Sequence, residues 1–181
     1  MKELNFLLER EHIYFKASQV YKRGDSVECT ILPYKDARTD MDILDDIVGS
    51  DNWKNDYKRD EKGVLQGGIG LWSEDKQQWI WKWSNGKPSQ FESEKGEYSD
   101  AFKRAGFMWG IGRCLYRFPE IRLILNEKEW YEKEGKVKIA GWFKPNQFRW
   151  KVSGEIDDLH IQCAQKFSNS WKIRYDNKPN K

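Results

Sequence analysis

Lys103 and Arg104 stand side by side in YSDAFKRAGFMWGIGRCLY, residues 98–116, which also holds Gly106, Gly110 and Gly112. Two adjacent cations in one helical turn suit phosphate oxygens, and glycines beside them suggest a nucleotide cradle. The order of elements argues against a cradle. Phosphate-binding glycines follow a strand and precede their helix, whereas these lie inside or after one, and no GKS or GKT follows. The acids Asp40, Asp42, Asp45 and Asp46, or Asp157 and Asp158, offer magnesium ligands to a nuclease or resolvase, although solvated acidic helix faces are far commoner. His12 and His160, the only histidines, have no acid or thiol at ligand spacing. Cys29, Cys114 and Cys163 are odd in number and far apart, so they read as reduced thiols rather than a disulfide framework or zinc site. No catalytic residue, metal or cofactor is expected.

These residues must be positioned by elements that the periodicity predicts. Residues 2–10 suit a short helix. ASQVYKRGDSVECTILPY alternates as a hairpin, with strands near 17–22 and 27–34 and Val27, Cys29 and Ile31 on one face. Met41, Leu44, Ile47 and Val48 recur at helical spacing before Gly49, a helix of about three turns. From Trp53 the period becomes two. WKNDYKRD, VLQGGIGLW and QQWIWKW, separated by turn compositions, form a three-stranded antiparallel meander. Trp79, Trp81 and Trp83 alternate onto one face of it. The ordinary role of such a row is core packing against a helix, with base stacking as the alternative. SNGKPSQFESEKGE then reads as a loop delivering the chain to Ser99, the N-cap of the helix that carries Lys103 and Arg104. Gly110 and Gly112 mark its end, and Gly106 allows something to approach closely.

At 181 residues the chain suits one domain. Charged residues make up 34% and aliphatics are sparse, but ten Trp, eight Tyr and nine Phe supply the apolar surface a core needs. Residues 128–181 hold twelve Lys and Arg against seven Asp and Glu, a net of +5 that leaves −2 for the rest. A basic C-terminal third suits a polyanionic partner, or simply a soluble surface. Neither a signal peptide nor an apolar run of membrane length is present, so a cytoplasmic protein is expected.

Ser99-Asp100-Ala101-Phe102-Lys103-Arg104-Ala105, then Trp109-Gly110-Ile111-Gly112-Arg113, with ARTDMDILDDIVGSDNWKNDY upstream, resemble the phage and bacterial branch of the Rad52/Rad22 family of single-strand annealing proteins. The resemblance covers roughly residues 18–120. It implies an α+β fold with a β-β-β-α core, an antiparallel meander packed on a helix and preceded by a hairpin and helix. It also implies rings or filaments, with single-stranded DNA in a basic groove between meander and helix. On that resemblance Lys103 and Arg104 hold the DNA backbone, Lys95 is a further basic position in the preceding loop, and Lys87 matches a lysine at the tip of the family's β-wing. Arg113, which closes the second matched run, and Arg38, near another basic position, complete the expected DNA-binding set. Two residues depart from the pattern. Phe107 stands where eukaryotic members carry arginine, and Met108 where phage members often have lysine.

Beyond Phe118 the resemblance fades. Between Lys133 and Lys151 six cations face one acid, interleaved with Trp142, Phe143, Phe148 and Trp150, a mixture that single-strand binders use and that a small hydrophobic hairpin also shows. The expected organisation is therefore an annealing core over 1–127, a basic and aromatic extension over 128–176, and a tail at 177–181. The expected function is ATP-independent binding and annealing of single-stranded DNA in recombination and double-strand break repair, by a phage-encoded homo-oligomer in a bacterial host. A host single-strand DNA-binding protein would be a further partner. A metal-dependent nuclease or resolvase is the alternative, and a carbohydrate- or protein-binding module built on the tryptophans is a third.

Overall fold

The computed structural model describes residues 3–87, 93–164 and 171–178. It is a mixed α+β structure of mostly antiparallel strands with two α-helices. No helix among the described residues is long and apolar enough to cross a membrane. Two compact units divide the chain, one formed by Met1–Phe6 and Lys35–Arg113, the other by Leu7–Tyr34 and Cys114–Lys181.

The first unit opens with α1 (Ala37–Ile47), where Asp36 Oδ1 accepts the Thr39 N–H at 3.0 Å as an N-cap. Gly49 ends it at φ +100°, its N–H reaching back to the Leu44 carbonyl. The meander follows as β3 (Trp53–Arg59), β4 (Leu65–Ser73) and β5 (Gln78–Asn85), in that spatial order. Asp60 Oδ1 organises the first turn by accepting the Lys62 and Val64 N–H groups. The last element, α2 (Ser93–Trp109), lies against β4 and β5. Leu65, Ile69 and Leu71 from the sheet, with Ala101, Phe102, Ala105 and Trp109 from α2, are all buried, and Trp109 Nε1 donates to the Ile69 carbonyl at 2.9 Å. Among the described residues, these side chains make the contact between meander and helix a packed core.

In the second unit β1 (Tyr14–Arg23) and β2 (Ser26–Tyr34) form the expected hairpin around Gly24-Asp25. β6 (Ile121–Leu125) pairs with β2. β9 (Trp142–Trp150), β10 (Ile156–Ala164) and β11 (Trp171–Asp176) complete a six-stranded antiparallel sheet, while β7 (Trp130–Lys133) and β8 (Lys136–Ile139) make a separate hairpin. Val27, Cys29, Ile31, Ile121, Leu123, Leu159, Ile161 and Cys163 are buried in this unit.

Four expectations change. Residues 3–9 form no helix, and only a 3-10 turn follows at Arg10–His12. The chain passes from the first unit to the second after Phe6, and Leu4 and Leu8 are each buried. Next, α2 begins at Ser93 rather than after Ser99. The compact units also do not follow 1–127 and 128–176, because the hairpin's hydrogen bonds run to β6 and β9 and tie it to the C-terminal strands. Finally, Asn177 is held in place, its side chain accepting the Leu159 N–H at 2.8 Å, and Lys178 pairs with Asp157 at 2.7 Å. Residues 179–181 of the expected tail lie outside the described residues.

Candidate nucleic-acid interface

Directly opposed residues in a sheet share a face, so the register sorts the meander's side chains. Opposite α2, and on its side of the sheet, lie Trp53, Tyr57, Leu65, Gly67, Ile69, Leu71, Ile80 and Lys82. A β-carbon on Gly67 would stand 2.9 Å from Ala101 of α2, which is how closely helix and sheet approach. The tryptophans occupy the other face. Trp83 is opposed to Gly68, Trp81 to Gly70 and Trp79 to Trp72, with Lys54 and Lys58 of β3 on the same side. The expectation that the row packs in the core against a helix is overturned: the helix covers the odd-numbered positions of β4, and the row extends over the even-numbered ones.

The glycines of β4 explain how the indoles lie. A β-carbon on Gly68 would come within 2.7 Å of Trp83 ring atoms, and one on Gly70 within 2.9 Å of those of Trp81. Each indole thus rests on a glycine of the neighbouring strand. Trp81 and Trp83 lie nearly parallel, with centroids 5.3 Å apart and planes 22° apart, while Trp79 meets Trp72 edge to face. Lys58 Nζ lies 4.0 Å from the Trp83 ring centre, and Lys54 Nζ lies 4.1 Å from that of Trp79 and 5.5 Å from that of Trp81. The two lysines are exposed and the four tryptophans half-buried. Asp56 shares the face and accepts the Tyr57 N–H through one carboxylate oxygen. Cations beside flat aromatic surfaces combine a face for stacking with charge that neutralises anions.

All six cations expected from the resemblance fall in the range of the first unit, and two of them, Lys87 and Arg104, meet at Asp100. Arg104 is exposed on α2 and bound to Asp100 at 2.6 Å, and Asp100 also accepts the Lys87 N–H. Lys87 is exposed just beyond β5 and sits at no hairpin tip, since the meander's turns lie at 60–64 and 74–77. Lys103 is half-buried on α2. Lys95 lies within α2 rather than in the preceding loop, and its side chain is outside the described residues. Arg113 caps the end of α2, donating to the Phe107 and Met108 carbonyls at 3.0 Å each. Arg38, in the first turn of α1, is 87% exposed and lies 3.7 Å from Asp36. Lys82 also donates to the Met108 carbonyl, 4.1 Å from the Trp109 ring centre, and burial lowers its pKa. The sequence reading left out Lys54 and Lys58, although their period-two spacing beside the tryptophan row was visible in WKNDYKRD.

Four of the six acids have structural partners. Asp40 is fully buried and paired with Lys35, and burial raises its pKa to about 6. Its Oδ2 lies under α2, 2.6 Å from where a Gly106 β-carbon would stand, so that glycine makes room for a carboxylate. Asp45 accepts the Trp53 indole N–H at 2.7 Å. Asp157 is held by Lys178 and Arg149, and Asp158 accepts from Gln147. Among the described residues no group of three or more His, Cys, Asp or Glu could hold a metal ion. The basic-aromatic stretch is divided in role. Phe148 and Trp150 pack with Phe118, and Trp150 Nε1 donates to the Leu8 carbonyl, while Trp142 is 72% exposed.

No protein-family model matches the chain, nor does any curated protein or solved structure.

Proposed function

We propose that this protein binds single-stranded DNA without sequence preference and promotes the annealing of complementary strands without ATP. The observation that carries the reading is the outer face of the meander, where half-buried indoles lie on glycines with Lys54 and Lys58 over them. Flat aromatic faces are sequence-tolerant, because every base has a π-face, and ammonium groups neutralise the phosphates that keep two strands apart. Lys87, Lys95, Lys103, Arg104 and Arg38 add positive charge elsewhere on the same unit, while Arg113 mainly closes α2. One unit offers too few contacts for the length of strand that stable pairing needs, so the protomers act together as a ring or filament. The resemblance to Rad52-like proteins supports the same function, in recombination and repair within a bacterial host cell. Pairing of this kind needs no covalent chemistry.

Fluorescence anisotropy with a labelled oligothymidylate and a blunt duplex of equal length tests the reading. The single strand should bind more tightly, and log affinity should fall with log salt by roughly 0.7 per phosphate contact. Equal affinity for the duplex would contradict it. Salt-insensitive binding to a polysaccharide instead would identify the indoles as a sugar platform.

A further inference from the structure

We infer that the Trp81–Trp83 platform takes an extended strand, one base on each indole, and that Lys54 and Lys58 leave the rings for the phosphates as it binds. This rests on the single-strand reading above and specifies how the strand sits. The indoles have only one face to offer, because Gly68 and Gly70 lie against the other. In the free protein the lysine ammonium groups stand over the rings at 4.0 and 4.1 Å, on Trp83 and Trp79, with Lys54 also within 5.5 Å of Trp81. A base and an ammonium group cannot share one ring face. A cation over a partly solvated ring is held more weakly than a stacked base, and the displaced ammonium gains a phosphate, so exchange favours the bound strand.

Placement on the sheet selects the form of the strand. Gly68 and Gly70 hold Trp83 and Trp81 against β4, with the ring planes 22° apart. Bases laid face-on against two such indoles are unstacked from one another, which a paired duplex does not allow. Contact through the base faces leaves the Watson–Crick edges free for a complementary strand. Lys54 and Lys58 serve as covers in the free state and as phosphate clamps in the bound state.

An abasic oligonucleotide with the same number of phosphates as the oligothymidylate separates the two contributions. The wild-type protein should bind the abasic strand more weakly by on the order of tenfold, and Trp81→Ala/Trp83→Ala should abolish that difference while still binding both. Lys54→Met/Lys58→Met keeps the aliphatic stems. It should preserve the preference for bases and reduce the salt slope by about 1.4, two contacts at roughly 0.7 each. Equal wild-type affinity for the two strands would overturn the platform while leaving single-strand binding intact, and this comparison needs no variant to fold. Affinity for neither strand would overturn the underlying reading. An unchanged salt slope in the lysine variant would refute the transfer of the lysines to phosphates.

Discussion

At the scale of single residues, β4 shows why composition was a partial guide. Its glycines read as weak points in a strand, but each is set by what lies against it: Gly67 by Ala101, Gly68 by Trp83 and Gly70 by Trp81. No local pattern encodes which face a helix will cover, so the tryptophan row was legible and its side was not. Gly68→Ala should displace the Trp83 indole, destabilising the protein by about 1–3 kcal/mol as overpacking does and weakening single-strand binding. Denaturant unfolding together with anisotropy would measure both, and unchanged values would show that the ring does not rest there. Asp40 supplies a pH test. Its folded pKa of about 6 stands above the ordinary 3.8, chiefly through burial, so between those values the folded state holds a proton that the unfolded chain releases. Its contribution to stability is complete below 3.8 and is lost as pH rises through about 6, on the order of 3 kcal/mol. Relative to Asp40→Asn, the wild type should lose stability across that window. Parallel unfolding curves would show instead that Lys35 keeps the carboxylate charged throughout.

At the scale of elements, the period-two runs and their turns located the meander, and Gly49 located the end of α1. The beginning of α2 was hidden by composition. Gly96 in SEKGE costs a helix about 1 kcal/mol relative to alanine, yet tertiary contacts hold that part of the helix. Glu97 is buried and ion-paired with Arg59 at 3.3 Å, and Gly86 lies close beneath the Glu97 carbonyl. Because α2 starts early, Asp100 sits in its body and binds Arg104, a partly exposed pair of the kind worth about 1 kcal/mol. Replacing Lys103 and Arg104 by alanine should therefore change unfolding free energy by less than about 1 kcal/mol. A small loss of DNA affinity is expected, less than that caused by the Lys54 and Lys58 replacements. Trp109→Ala should behave differently, costing about 3–5 kcal/mol, because it empties a buried site and leaves the Ile69 carbonyl without its indole donor. Circular dichroism melts of the two variants distinguish a surface pair from a core residue. A large destabilisation by the double alanine variant would make its cations structural.

At the scale of the whole molecule, α+β character and antiparallel pairing were readable from periodicity, whereas the partition into units was not. The hairpin of β1 and β2 is local in sequence, but its outer partners β6 and β9 come from far along the chain, and pairing at that separation leaves no pattern in either segment alone. The oligomeric state belongs to this scale. Native mass spectrometry with and without a long single strand should give multimers of the 21.7 kDa chain, and a monomer in both conditions would contradict cooperative presentation of the strand. The most direct measurement of the central claim is the annealing rate of two complementary oligonucleotides, one carrying a fluorophore and the other a quencher, in the absence of nucleotide. The rate should rise with protein until the strands are covered, and Trp81→Ala/Trp83→Ala and Lys54→Met/Lys58→Met should each remove most of the acceleration. A wild-type protein that coats both strands yet leaves the rate at its spontaneous value would contradict the account.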